Sequence, residues 1–121
     1  MGWIGVDLDG TLAAHGDNFD PSVVGPPIPQ MVERVRGWLD EGKDIRIFTA
    51  RVSSDGTDAG RQAIELSRAA IEAWCDKHLG KVLPITNMKD YEMEEFYDDR
   101  AVQVGRNTGE IIGYSTRGNH V

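Results

Sequence analysis

Apolar residues in this chain form short continuous runs separated by stretches with helical spacing. The first run, Trp3, Ile4 and Val6, is bounded by Gly and is typical of a strand buried on both faces. Residues 30–41 follow with a helical stripe made of Met31, Val35, Trp38 and Leu39. Residues 44–51 predict a second strand, which ends in Thr49. A strand, a helix and a strand at this spacing predict a parallel crossover, so both strands should end at one edge of a sheet.

The second half of the chain continues the alternation. Residues 59–79 predict a longer helix, with Asp58 as N-cap and Gly80 at its end. Its expected apolar stripe consists of Ala63, Leu66, Ala70 and Trp74. Residues 82–86 predict a third strand, which Pro84 would confine to a sheet edge. Residues 101–104 and 111–114 flank the turn residues Asn107, Thr108 and Gly109, which indicates a C-terminal hairpin.

Composition restricts the classes of protein to consider. The chain has 121 residues, with 40% apolar and 27% charged, which predicts one soluble domain over residues 1–121. The net charge of −7 disfavours nucleic acid and anionic membranes as partners, because both require basic surface. A single cysteine, Cys75, and the lack of a signal peptide or membrane-spanning run predict a cytoplasmic protein.

Two acidic residues, Asp7 and Asp9, stand where the first strand should end, and Gly10 permits a sharp turn there. Their carboxylates would repel each other, so a hard cation, most plausibly Mg²⁺, is expected between them. An ordinary polar turn is one interpretation. A calcium loop of EF-hand type is excluded. Such a loop follows a helix and requires an oxygen ligand at its fifth position and Gly at its sixth, whereas this stretch follows a strand and has Thr11 and Leu12 there. The remaining interpretation is that Asp7 is a nucleophile.

The run from Asp7 to Leu12 (Asp-Leu-Asp-Gly-Thr-Leu) resembles the first motif of the haloacid dehalogenase-like (HAD) superfamily of phosphohydrolases. Thr49 after a strand, Lys89, and the pair Asp98 and Asp99 resemble the remaining motifs in the same order. The resemblance covers roughly residues 3–104. It implies a Rossmann-like three-layer α/β sandwich with a mostly parallel sheet in the order 5-4-1-2-3. The gaps between motifs hold only a loop and one helix each, which implies a member without a cap domain.

The expected chemistry is phosphoryl transfer to a carboxylate. Asp7 would attack phosphorus and form an aspartyl-phosphate, while Asp9 would act as general acid and then general base. By the resemblance, Mg²⁺ would be held by the Asp7 carboxylate, the Asp9 carbonyl and Asp99. Asp98 would not bind the metal directly but would orient a metal-bound water or Lys89. The choice between Asp98 and Asp99 as the direct ligand stays open.

Other residues would bind the phosphoryl group or the rest of the substrate. By the resemblance, the Thr49 hydroxyl and the Ala50 amide would bind phosphoryl oxygens, and Lys89 would neutralise charge. Arg51 would either grip a second group of the substrate or form a salt bridge to a local acid. His15 is more plausibly a solvated loop residue than a ligand contact.

These residues predict a magnesium-dependent phosphomonoesterase whose partner is a phosphorylated substrate of unspecified identity. Two alternatives stay open: a nucleotide or nucleic-acid-end phosphatase, and a non-catalytic module that binds phosphate or a protein partner. A homodimer is compatible with an exposed site and a short chain.

Overall fold

The structure is a computed structural model that describes residues 2–116. Its elements are β1 (Trp3–Asp7), α1 (Pro29–Asp40), β2 (Ile45–Phe48), a 3-10 turn (Ala50–Val52), α2 (Asp58–Leu79), β3 (Ile85–Thr86), β4 (Met93–Tyr97), β5 (Gln103–Val104) and β6 (Ile111–Gly113). The alternating strands and helices predicted from the hydrophobic pattern are therefore present, with ends shifted by a few residues.

The central sheet has four parallel strands in the order β3-β2-β1-β4. The predicted α/β class and mostly parallel sheet are confirmed, and β3 lies at an edge, as Pro84 predicted. The expected five-strand order is not reached within residues 2–116. The strands β5 and β6 form a separate antiparallel pair instead of extending the sheet beyond β4. The predicted C-terminal hairpin is confirmed, but it does not complete the sheet.

The two helices pack on the same face of the sheet and contact each other. The chain passes from β1 to β2 to β3 in one direction, so right-handed crossovers put both helices on one side. There they cover the apolar side chains of Ile4, Val6, Ile45 and Ile47. The expected third layer is absent from residues 2–116, because the connection from β3 to β4 contains no helix.

That connection, residues 87–92, covers part of the opposite face of the sheet. The Trp3 indole N–H donates to Asp90 Oδ1 at 2.8 Å, and the Arg46 guanidinium lies 4.6 Å from the Trp3 ring centre. Trp3 is consequently only 1% exposed, although no helix covers it. Among the described residues this connection contains no helix. A link of six residues is too short for a helix and a crossing of three strands.

The ends and faces of α2 differ from the prediction in two respects. Its N-cap is Thr57, whose hydroxyl oxygen accepts from the Gly60 N–H at 2.9 Å, and Asp58 is the first helical residue. Leu66 is 51% exposed, because the buried face is rotated toward Ser67, Ile71, Trp74 and Cys75. Gly80 ends the helix in the left-handed conformation, as predicted. Within residues 2–116, neither helix is long and apolar enough to cross a bilayer.

Candidate functional site

The turn after β1 begins the site. The Leu8 carbonyl accepts hydrogen bonds from the N–H groups of Thr11, Leu12 and Ala13, which closes a tight turn directly after Asp7. Gly10 in this turn has φ +90°, and a β-carbon there would lie 2.6 Å from Asp99 Oδ2. Gly10 is thus required twice, once for its backbone conformation and once for the approach of Asp99.

Three carboxylates meet at the carboxyl edge of the sheet. Strand β4 pairs with β1 so that Val6 lies opposite Tyr97, and the residues that follow each strand are therefore neighbours. One carboxylate oxygen from each of Asp7, Asp98 and Asp99 lies within 4.8 Å of the others. The structure therefore brings Asp7 together with both members of the acidic pair.

Thr11 connects the first motif to this acidic pair. Its hydroxyl oxygen lies 3.0 Å from Asp7 Oδ2 and 3.3 Å from Asp99 Oδ1, and it accepts a hydrogen bond from the Asp99 N–H at 3.0 Å. Thr11 is 9% exposed, so these bonds are largely removed from water. They fix the spacing between Asp7 and Asp99.

Crowding of negative charge changes the titration of Asp7. Burial, repulsion by the Asp98 carboxylate and the contacts with Asp99 raise the pKa of Asp7 to about 7, although the Thr11 hydroxyl opposes the shift. A divalent cation would relieve this repulsion, and carboxylate oxygens are the ligands that Mg²⁺ prefers. Asp7, Asp98 and Asp99 could therefore hold a metal ion together.

The Asp9 side chain points to a different partner. Arg51 Nε and Nη2 donate to the two Asp9 oxygens, each at 2.8 Å, and His15 Nδ1 lies 3.7 Å from Asp9 Oδ1. The Arg51 side chain is 6% exposed, and its guanidinium lies 4.9 Å from the Phe19 ring centre. Its remaining nitrogen, Nη1, is shielded from solvent and has no hydrogen-bond partner within residues 2–116.

A cavity of about 930 Å³ opens over these groups. Thr49 lies at its base, 3% exposed, and its hydroxyl oxygen accepts the Arg51 backbone N–H at 3.1 Å. The wall contains every residue expected at the site except one: Asp7, Asp9, Thr49, Ala50, Arg51, Asp98 and Asp99. Arg100 also lines the cavity. The arrangement combines an acidic cluster with two guanidinium groups, which suits a ligand that is both metal-bound and anionic.

Lys89 is the exception. It is exposed and lies in the connection from β3 to β4, outside the cavity wall. The next residue, Asp90, binds the Trp3 indole and lies 3.9 Å from the Arg46 guanidinium. Trp3 begins β1 and Asp7 ends it, which separates them by about 13 Å along the strand. The anchoring of Asp90 therefore holds Lys89 toward the far edge of the sheet.

Several residues of the site had no role assigned from the sequence. Thr11 belongs to the stretch from Asp7 to Leu12, but its hydrogen bonds to Asp99 are visible only in the folded structure. Phe19 and Arg100 carried no recognisable signal, because a single aromatic residue or arginine in a loop is common. For Arg51 the expected salt bridge to a local acid is confirmed, and the residue also lines the cavity, while its contact with a substrate group stays a prediction.

Comparisons with known proteins add little to this geometry. No model of a known protein family matches the chain, and no curated protein matches it. A solved structure described as a conserved protein from Bacteroides thetaiotaomicron is similar, with 23% sequence identity and a TM-score of 0.49. The match covers 84% of this chain and 78% of that chain. A likeness of this degree carries no conclusion about activity.

Proposed function

We propose that this chain is a magnesium-dependent phosphomonoesterase of the HAD type that forms an aspartyl-phosphate on Asp7. The observation that carries the proposal is the convergence of Asp7 with Asp98 and Asp99, within 4.8 Å, beside the buried Thr49. A bound cation would offset the repulsion among these three carboxylates, which supports the proposal.

In the first step an Asp7 carboxylate oxygen attacks phosphorus and the bond to the leaving oxygen breaks. The leaving oxygen takes a proton from Asp9, one oxygen of which must give up its hydrogen bond from Arg51 in order to carry that proton. In the second step Asp9 accepts a proton from water, whose oxygen attacks phosphorus, and the bond from phosphorus to Asp7 breaks. Inorganic phosphate and the alcohol leave, and Asp7 and Asp9 return to their starting states.

The protein groups around the phosphoryl oxygens would be the Thr49 hydroxyl, the Ala50 amide and the Arg100 side chain, while the charge of Arg51 lies close by. Thr49 accepts the Arg51 N–H with its oxygen, and its own hydroxyl hydrogen is free to point toward a ligand. The neutralising role expected of Lys89 passes in this proposal to the arginines, which line the cavity. Mg²⁺, held by Asp7, Asp98 and Asp99, would supply charge neutralisation as a Lewis acid.

Hydrolysis of an aryl phosphate, with and without magnesium, tests the proposal. We expect turnover that requires the metal and disappears in Asp7→Asn, which keeps the size of the side chain but removes its charge. Asp17→Asn is the matched control, because Asp17 also lines the cavity but lies outside the carboxylate cluster. Acid quenching followed by peptide mass spectrometry should find phosphate on the peptide that contains Asp7.

Absence of turnover by the folded chain, over a broad range of pH and magnesium concentration, would refute the phosphatase and favour the binding module. Binding of an oligonucleotide that weakens steeply with salt would instead favour the nucleic-acid-end phosphatase.

A further inference from the structure

The Arg51 guanidinium uses only one of its two hydrogen-bonding sides. Asp9 occupies the side formed by Nε and Nη2. A guanidinium has a second side, formed by Nη1 and Nη2, on which two parallel N–H groups match the two oxygens of a carboxylate or a phosphate. Within residues 2–116 nothing accepts from Nη1.

A buried, unpaired guanidinium nitrogen is unusual in a folded protein. The Arg51 side chain is 94% shielded, and the Phe19 ring lies against it. A buried donor without an acceptor has lost its water and gained nothing in return, so an incoming acceptor is favoured there. Hydrogen bonds from Ser22 and, to a smaller extent, the charge of the nearby Arg51 lower the pKa of Asp20, but within residues 2–116 the Asp20 carboxylate does not accept from Nη1.

The location of Arg51 ties this free side to the proposed reaction. Its backbone N–H binds the Thr49 hydroxyl oxygen, and its side chain binds Asp9, so it stands between two residues assigned to the phosphoryl group. An acceptor bound to Nη1 and Nη2 would therefore lie beside the phosphoryl group, where a second group of the same substrate molecule can supply it. Most other charged groups in the cavity wall are carboxylates, which would repel a second anionic group of the substrate if it were placed away from Arg51.

We propose that Arg51 is a specificity-determining residue whose free side binds a second oxyanion, a carboxylate or a phosphate, of the substrate. This inference rests on the proposed function and narrows its substrate class to phosphomonoesters with a second anionic group a few bonds from the scissile phosphate. Asp9 holds the guanidinium in place from the other side, and Phe19 packs against its face.

Non-hydrolysable probes test the inference without requiring turnover. Calorimetry in the presence of magnesium would compare 3-phosphonopropionate and propane-1,3-bisphosphonate with propylphosphonate, which has a similar chain length but no second anion. We expect at least one of the two probes with an anionic tail to bind about 10- to 100-fold more tightly than propylphosphonate, the range for a hydrogen bond to a charged group. The preferred probe identifies the tail as carboxylate or phosphonate. Equal affinities for all three probes would overturn the inference.

Two variants locate the source of any preference. Arg51→Lys keeps the charge but loses the paired N–H groups, so the affinity ratio between probes should collapse. The ratio is the readout because a disturbance of Asp9 affects all probes alike. Arg100→Gln removes the other arginine of the cavity and should retain the ratio. The assignment to Arg51 would be wrong if the affinity ratio between the probes is unchanged in Arg51→Lys. It would also be wrong if that ratio is lost in Arg100→Gln but not in Arg51→Lys.

A measurement on the wild-type chain covers the case in which Arg51→Lys does not fold. The guanidinium NMR resonances of Arg51 should shift with the preferred probe and stay in place with propylphosphonate, and identical spectra with both would overturn the inference. Turnover of aryl phosphate without any preference among probes refutes the inference alone. A preference among probes without turnover of any phosphomonoester refutes the proposed function alone.

Discussion

The hydroxyl oxygen of Thr11 accepts the backbone N–H of Asp99 at 3.0 Å and lies 3.3 Å from that residue's carboxylate. These two residues are 88 positions apart in the chain. The same hydroxyl is 3.0 Å from Asp7, so a single small side chain joins Asp7 to Asp99. This bond links the first strand of the sheet to the segment that follows the last strand of the sheet.

Replacing Thr11 with Val should loosen the cluster. The substitution keeps the shape of the side chain but leaves the Asp99 N–H without its acceptor, which costs about 1–3 kcal/mol. We expect a lower free energy of unfolding in urea and weaker magnesium binding by calorimetry. Thr11→Ser retains the hydroxyl and should restore both. Unchanged magnesium affinity in Thr11→Val would show that Asp7 and Asp99 do not depend on this bond.

Gly10→Ala should be strongly destabilising. A β-carbon at Gly10 would lie 2.6 Å from Asp99 Oδ2, and the residue has φ +90°, which disfavours any L side chain. The melting temperature and magnesium binding should therefore both fall. Gly37→Ala is the matched control, because Gly37 lies in α1 with open space around it. Alanine there should stabilise the helix by about 0.5–1 kcal/mol. Equal changes in melting temperature and in magnesium binding for the two variants would contradict the close approach of Asp99 to Gly10.

The raised pKa of Asp7 predicts how stability depends on pH. Between its ordinary pKa of 3.8 and about 7, the folded state keeps a proton on Asp7 that the unfolded state releases. The folded state then binds more protons, so without metal the free energy of unfolding should fall as pH rises through this range. Urea unfolding in the presence of a chelator, at pH 5 and at pH 8, measures this change in the free energy of unfolding. The part of the change that comes from Asp7 should be absent in Asp7→Asn.

Magnesium should reverse that trend, because the cation replaces the proton. The increase in melting temperature on adding magnesium should be larger at pH 8 than at pH 5 in the wild type. Other shifted carboxyls act elsewhere: hydrogen bonds from Ser22 and Trp3 lower the pKa values of Asp20 and Asp90, respectively. Their contribution is present above the ordinary carboxyl range and is lost at lower pH. A magnesium effect of equal size at both pH values would argue against Asp7 as a ligand.

Lys89→Gln should leave magnesium-dependent hydrolysis close to the wild-type rate. Lys89 is exposed and outside the cavity wall, on a connection anchored through Asp90 to Trp3. Arg51→Gln should instead reduce kcat/KM, because it removes a buried cation from the cavity wall and leaves Asp9 without its partner. Steady-state kinetics on an aryl phosphate measure both. A large loss in Lys89→Gln would mean that Lys89 reaches the phosphoryl group during turnover.

The sequence by itself determined the local elements and the edge at which the acids gather. The apolar run before Asp7 and the helical spacing of residues 30–41 report which side chains are buried. Gly, Pro and capping residues mark where each element ends. Parallel connection then places the ends of successive strands together, so the approach of Asp98 and Asp99 to Asp7 was predictable.

Only the tertiary structure decided which side chains bind each other within that edge. Asp9 could have faced the acidic cluster or Arg51, and both choices have the same sequence pattern. The pairing arises because the turn after β1 and the turn after β2 bring Asp9 and Arg51 within 2.8 Å. Lys89 lies outside the cavity wall because its position depends on Asp90 binding Trp3, a contact between residues 87 positions apart. The separate hairpin and the single helical layer likewise depend on long-range packing, which local hydrophobic patterns do not encode.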